Sequence, residues 1–199
     1  MSLLFILEII GTIAFSISGS LVAIKSKMDI FGVIMLGLTT AVGGGILRDV
    51  ILGVIPPSIF DNPFFIVVSI VVSLIVFVPR VREYLVKLDV LIQIMDAIGL
   101  AIFAVIGTET SLSYNNLLLS LFAGTLTGVG GGVMRDVFAG TKLYIFTKHF
   151  YACAAIIGSL ISFYLFKIDE NLAIIVGFMI IFSLRMLAYK YKWNLPKAK

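Results

Sequence analysis

Cysteine, histidine and charge are all scarce in this 199-residue chain, and each scarcity removes a class of function. The one cysteine, Cys153, permits no internal disulfide and leaves the redox compartment open. The one histidine, His149, falls at the edge of an apolar segment, where it cannot serve a Ser-His-Asp set. The sequence offers no His/Cys/Asp spacing for a metal, no P-loop and no dinucleotide fingerprint. No catalytic residue, metal site or cofactor is therefore expected, and the chain does not read as an enzyme. Charged residues make up only 13% of it, against 60% hydrophobic. A soluble domain of this length could not bury so much apolar surface, so lipid must be the solvent. With five prolines and no low-complexity run, residues 1-199 read as a single membrane domain. The net charge of +4 sits in short loops between apolar runs, which argues against a nucleic-acid partner.

Apolar runs of spanning length lie near 3–24, 30–52, 63–79, 89–108, 117–139, 149–166 and 172–189, predicting seven transmembrane helices. A span needs about 20 residues, so the third and sixth are short and depend on snorkelling flanks. The first run has no basic region before it and carries Glu8 within it, so it reads as a retained span. With seven spans, one side collects Lys25, Lys27, Arg80, Arg82, Lys87, Lys142, Lys148, Lys190, Lys192, Lys197 and Lys199. The other holds only Lys167. The positive-inside rule then places the C-terminus in the cytoplasm and the N-terminus outside. Tyr84, Tyr114, Tyr144, Tyr151, Tyr189, Tyr191 and Trp193 fall near segment ends, as interfacial aromatics do.

One stretch occurs twice. Gly43-Gly44-Gly45-Ile46-Leu47-Arg48-Asp49 returns 87 residues later as Gly130-Gly131-Gly132-Val133-Met134-Arg135-Asp136. Glu8, Gly11, Phe15 and Gly19 return 88 residues later as Asp96, Gly99, Phe103 and Gly107. Repeat one covers 1-80 and repeat two 88-167, and the seventh helix, 172-189, stands outside them. Three spans per repeat make the second enter from the opposite face, an inverted repeat. A glycine triplet costs a helix interior roughly 3 kcal/mol, and a mid-bilayer charge costs about 2.5–3.5 kcal/mol. Helices 2 and 5 broken at Gly43, Gly44, Gly45 and at Gly130, Gly131, Gly132, beside a polar cavity, would account for both costs. Close helix packing is the competing account of the glycines.

Neighbouring residues on a helix point about 100° apart, so Arg48 and Asp49, or Arg135 and Asp136, are expected to be poor partners. Depth along the helices favours Glu8 with Arg48 and Asp96 with Arg135. Thr39, Thr40, Thr125 and Thr127 precede the triplets and are candidates either to line a cavity or to bond their own backbone. Packing is the expected role of Ser16, Ser18 and Ser20.

Two copies of Gly-Gly-Gly-x-x-Arg-Asp in a seven-span chain of this length resemble the trimeric intracellular cation (TRIC) channels, particularly their prokaryotic branch. The resemblance implies a homotrimer with a pore in each subunit, bounded by helices 2 and 5, passing monovalent cations, chiefly potassium. It also implies residence in a prokaryotic cell (inner) membrane. The Lys-Glu-Val tripeptide of animal members is missing, so their calcium-store role does not carry over. Related bacterial sequences are also grouped as glycine transporters, which makes a secondary transporter of a small solute the alternative. A non-transporting scaffold is the third reading. Among Glu8, Asp49, Asp96, Asp136, Arg48 and Arg135, carboxylates outnumber arginines by two, a balance that favours a cation path.

Overall fold

The computed structural model describes residues 2–86, 89–143 and 150–193. Lys87, Tyr144, Lys148, His149, Lys197 and Lys199 lie outside them. The described residues form eight α-helices and no strand: α1 Leu3–Lys25, α2 Ile30–Leu52, α3 Phe64–Phe77, α4 Pro79–Val86, α5 Asp89–Thr110, α6 Leu117–Phe138, α7 Tyr151–Leu165 and α8 Glu170–Tyr191. Five of them (α1, α2, α5, α6 and α8) are long and apolar enough to cross a membrane. The apolar α3 and α7 have 14 and 15 residues. The stretch from Arg80, expected as a loop, is instead the short helix α4, whose composition is much more polar than that of its neighbours.

Local signals set the ends of the two central helices in the same way. Asp29 caps α2 by accepting from the Gly32 N–H at 2.8 Å, and Asn116, 87 residues on, caps α6 through the Leu119 N–H at 3.1 Å. At the other end Gly53 and Gly140 adopt φ of 77° and 63°, a left-handed turn that favours glycine. The turn lets Val54 N–H reach the Asp49 carbonyl at 2.8 Å and Thr141 N–H the Asp136 carbonyl at 2.9 Å.

The surface is inside-out relative to a water-soluble protein. Ile10, Phe31, Val67, Val71, Ile75, Phe122, Ile175 and Met179 are exposed, whereas Ser16, Ser18, Ser20, Ser69, Ser73, Thr40, Thr108, Ser120 and Ser159 are buried. Helices in lipid gain little from hiding aliphatic groups, so small residues that let backbones approach occupy the contacts instead. A buried hydroxyl needs a nearby acceptor, and for several of these the helix supplies one. Ser16, Thr40, Ser73, Thr108 and Thr127 all donate to the carbonyl four residues back.

Helix α1 packs on α2 and α3, α5 packs on α6 and α7, and α8 lies against α5 and α7. The two groups meet where α2 crosses α6 and α1 crosses α5. Contacts at these crossings come in exchanged pairs. A Cβ on Gly44 would overlap the Thr127 carbonyl, and one on Gly131 the Thr40 carbonyl. Gly99 faces the Phe15 ring and Gly11 faces Phe103, and the two rings stack at 5.4 Å. An exchange of partners of this kind is what a two-fold relation produces.

The structure corrects the expected breaks. Helices α2 and α6 run through their glycine triplets without interruption. The glycines offset their conformational cost by admitting backbone against backbone, the packing account. Within one triplet the roles differ, because a Cβ on Gly45 would meet nothing nearer than Arg48 Nη2 at 4.0 Å. Gly44→Ala and Gly131→Ala should each lower stability by about 1–3 kcal/mol through overpacking. Gly45→Ala should be neutral or raise it by up to about 1 kcal/mol. Thermal unfolding of the purified variants in detergent checks the order, and a Gly44→Ala protein as stable as Gly45→Ala would contradict it.

Candidate functional site

The two Arg-Asp dipeptides sit near the C-terminal ends of α2 and α6, and both turn inward. In each, the arginine folds back on its own neighbour. Arg48 Nε and Nη2 donate to Asp49 Oδ1 at 2.8 and 2.7 Å, and Arg135 Nε and Nη2 donate to Asp136 Oδ1, both at 2.9 Å. This corrects the expectation that adjacent residues are poor partners. The Cα–Cβ vectors diverge, but an arginine is long enough to wrap its guanidinium around the helix and present two donors at once.

Beyond the shared motif the two sites part. At α6, Arg135 Nη1 donates to Asp96 Oδ1 at 2.6 Å and to Ser18 Oγ at 2.8 Å. The expected Asp96–Arg135 pair is thus formed, with the two side chains 5% and 4% exposed. A second arginine joins it. Arg185 of α8, 1% exposed, brings Nη2 to 3.7 Å from Asp96 Oδ2 and lays its guanidinium 4.4 Å from the centre of the Tyr151 ring. Tyr151, expected at the interface, is instead buried in this cluster. Among the described residues two carboxylates and two guanidinium groups meet here, formally balanced, in a buried cluster at this end of the bundle.

At α2 the remaining Asp49 oxygen, Oδ2, accepts from the Ser58 N–H at 2.9 Å and from the Ser58 hydroxyl, tying down the 3-10 turn Ser58–Phe60. Glu8 and Arg48 border one cavity of about 450 Å3, but no ion pair joins them among the described residues, contrary to expectation. Asp49 has already engaged the Nε and Nη2 face of Arg48, and Glu8 is left facing open space. The cavity also takes in Gly45, Thr12, Phe103, Asn62 and Glu109. Helix α1 begins at this open end and α5 finishes there, so the equivalent carboxylates Glu8 and Asp96 lie at opposite ends of the bundle.

The other expected residues fall elsewhere. Gly43, Gly44 and Gly130 to Gly132 form helix contacts away from this cavity, with Gly132 facing the Tyr151 hydroxyl. Thr39, Thr40 and Thr127 bond their own helix backbones, and the Thr125 hydroxyl has no partner among the described residues. None of the four borders the cavity. Sequence reasoning missed Arg185 and Glu109. Arg185 interrupts the apolar run of α8, a signal available in the sequence; Glu109 stands beside loop residues and gives no such signal.

An apolar exterior around buried ion pairs and a polar cavity defines a polytopic membrane protein with charge held in its interior, the class that includes channels and secondary transporters. A family model described as glycine transporter matches the chain twice in succession, over residues 5–80 and 93–167. The UPF0126 inner membrane protein YadS of Escherichia coli K12 is 36% identical over 198 residues, covering 98% of this chain and 95% of its own. The UPF0126 membrane protein YvgT of Bacillus subtilis is 34% identical over 193 residues, covering 96% and 94%. Among solved structures, one described as explaining conductance through TRIC cation channels superposes with a TM-score of 0.91 at 38% identity, covering 100% of this chain and 98% of its own. A prokaryotic TRIC channel crystallised in 0.5 M KCl gives 0.89 at 36%, covering 96% and 98%. The chain belongs to this family, the TRIC channels and their UPF0126 relatives.

The two ends should respond differently to loss of a carboxylate. Asp96→Ala removes one partner from buried guanidinium groups and should cost about 3–5 kcal/mol. Glu8→Ala, which removes a side chain with no ion-pair partner, should stay within about 1 kcal/mol of the parent. Unfolding in detergent measures both, and equal losses would mean that Glu8 is held as tightly as Asp96.

Proposed function

We propose that this protein is a cation channel passing monovalent ions, chiefly potassium, through a pore within each subunit of a homotrimer. The observation that carries the reading is the open-end cavity. Among the described residues that line it, the carboxylates Glu8, Asp49 and Glu109 outnumber the one cation, Arg48, and lie where α1, α2 and α5 converge. Surplus negative charge beside a water-sized space inside a membrane protein is how cation paths are built. The solved relatives described as TRIC cation channels support the same reading.

In this reading α3 and α7 also cross the membrane, giving seven spans in two inverted repeats, 1-80 and 88-167, with α8 outside them. The doubled family match and the exchanged contacts support that arrangement. The path starts at Glu8, Arg48 and Asp49 and continues between the halves toward Asp96, Arg135 and Asp136. The lysine-rich end, where Asp96 and Arg135 lie, faces the cytoplasm of a prokaryotic cell, and the N-terminus lies outside. A second reading, transport of a small solute such as glycine, draws on the family model's description.

Purified protein in planar bilayers separates the two. A channel gives unitary current steps and, in a KCl gradient, a reversal potential near the potassium equilibrium value. Saturable, ion-coupled glycine uptake into proteoliposomes without unitary steps would replace the channel reading with the transporter. Asp96→Asn, if it folds, should expose Arg135 and Arg185 to the path and move the reversal potential toward that of chloride. An unchanged potential would place Asp96 away from the path.

A further inference from the structure

The repeat accounts for most of the interior charge, but two ionisable residues break it, and they do so at opposite ends. Arg185 belongs to α8, outside the repeat, and supplies the buried cluster with the second cation that balances Asp96 and Asp136. Glu109 belongs to the second repeat, yet 88 residues earlier stands Leu21, fully buried. The buried cluster at the Arg185 end is therefore formally neutral among the described residues. Among the described residues that line the open-end cavity, Glu8, Asp49 and Glu109 stand against Arg48, formally minus two.

The position of Glu109 is unfavourable on three counts. It is only partly exposed, in the last turn of α5, where the helix dipole presents its negative end. It shares a cavity with Glu8 and has Glu170 of α8 among its electrostatic neighbours. Among the described residues neither Glu8 nor Glu109 has a hydrogen bond or ion pair, because Arg48 is bound to Asp49. A carboxylate so placed sets up its field in the cavity that it borders.

We propose that Glu109 is a selectivity-determining residue, which with Glu8 holds the open-end vestibule at a negative potential, concentrating cations and excluding anions at that mouth alone. The proposal rests on the channel reading for its physiological meaning, but its main test does not require conduction. Asn62 is exposed and borders the same cavity, so a cysteine there reports the local potential. In a Cys153→Ala background, Asn62→Cys is modified with a cationic and an anionic methanethiosulfonate of matched size. The ratio of the two rates is normalised to that for free cysteine.

At 10 mM salt, where the Debye length is about 30 Å, Glu109→Gln should lower this ratio by about fourfold, roughly twofold from each reagent. Glu109→Asp should keep it near the parent value. At 1 M salt, where the Debye length is about 3 Å, parent and variant should converge. A ratio unmoved by Glu109→Gln at low salt, or reduced equally at both salt concentrations, overturns the proposal. Should Glu109→Gln fail to fold, Glu8→Gln in the same background takes its place, with the same expected and overturning results. In bilayers, Glu109→Gln should reduce cation conductance about twofold in 10 mM KCl and little in 1 M. A parent protein that conducts nothing, together with the fourfold drop in Glu109→Gln, would sink the channel reading and leave the charged vestibule standing.

Discussion

Two helix backbones touch at the centre of this protein, and the rest of the bundle is arranged around that contact. Where α2 crosses α6, Gly44 lies against the Thr127 carbonyl and Gly131 against the Thr40 carbonyl, with no room for a side chain on either. In lipid there is no water to squeeze out, so helices associate through close van der Waals contact, and closeness demands small residues. The demand spreads outward. Phe15 and Phe103 stack across the α1–α5 crossing because Gly99 and Gly11 leave space for their rings. Gly37 and Gly124 do the same for α3 and α7, admitting the hydroxyls of Ser73 and Ser159.

Drawing the helices this close also decides where charge can go. The ends of α2 and α6 are brought beside α1 and α5, so an arginine on either can reach a carboxylate on a neighbouring helix. At α6 it does, and Asp96 is shared between Arg135 and Arg185, with Ser18 taking a further guanidinium hydrogen. Such a cluster recovers its desolvation cost only when nearly every donor and acceptor is matched. At α2 the same dipeptide keeps its internal bond and ties the following loop through Ser58, while Glu8 has no ion pair among the described residues. Identical local chemistry therefore gives a buried ion cluster at one end and a cavity at the other. The difference comes from residues that the repeat does not duplicate.

The membrane environment, the helical class and the duplicated motif were legible in the sequence because composition and periodicity report directly on solvent and on backbone geometry. The Asp96–Arg135 pair was legible for a similar reason, since rise per residue fixes depth along a helix. Other expectations failed where a side chain's reach or a neighbour's identity mattered. Arg48 turned to Asp49 because a long guanidinium is not confined to the direction of its Cβ. Tyr151 left the interface because Arg185 offered a cation to stack on.

What the sequence determined by itself is a chain that must live in lipid and carries the same glycine and Arg-Asp pattern in two halves. The glycines are the clearest case of what it left open. A triplet inside an apolar helix suits a broken helix and a tightly packed one equally, because both need a missing Cβ. Only the tertiary structure decides, by placing a carbonyl of the opposite helix where that Cβ would be. The opposite ends of the bundle were likewise indistinguishable by motif. Their difference appears once α8 delivers Arg185 to one end and the last turn of α5 brings Glu109 to the other, because charge acts across space rather than along the chain.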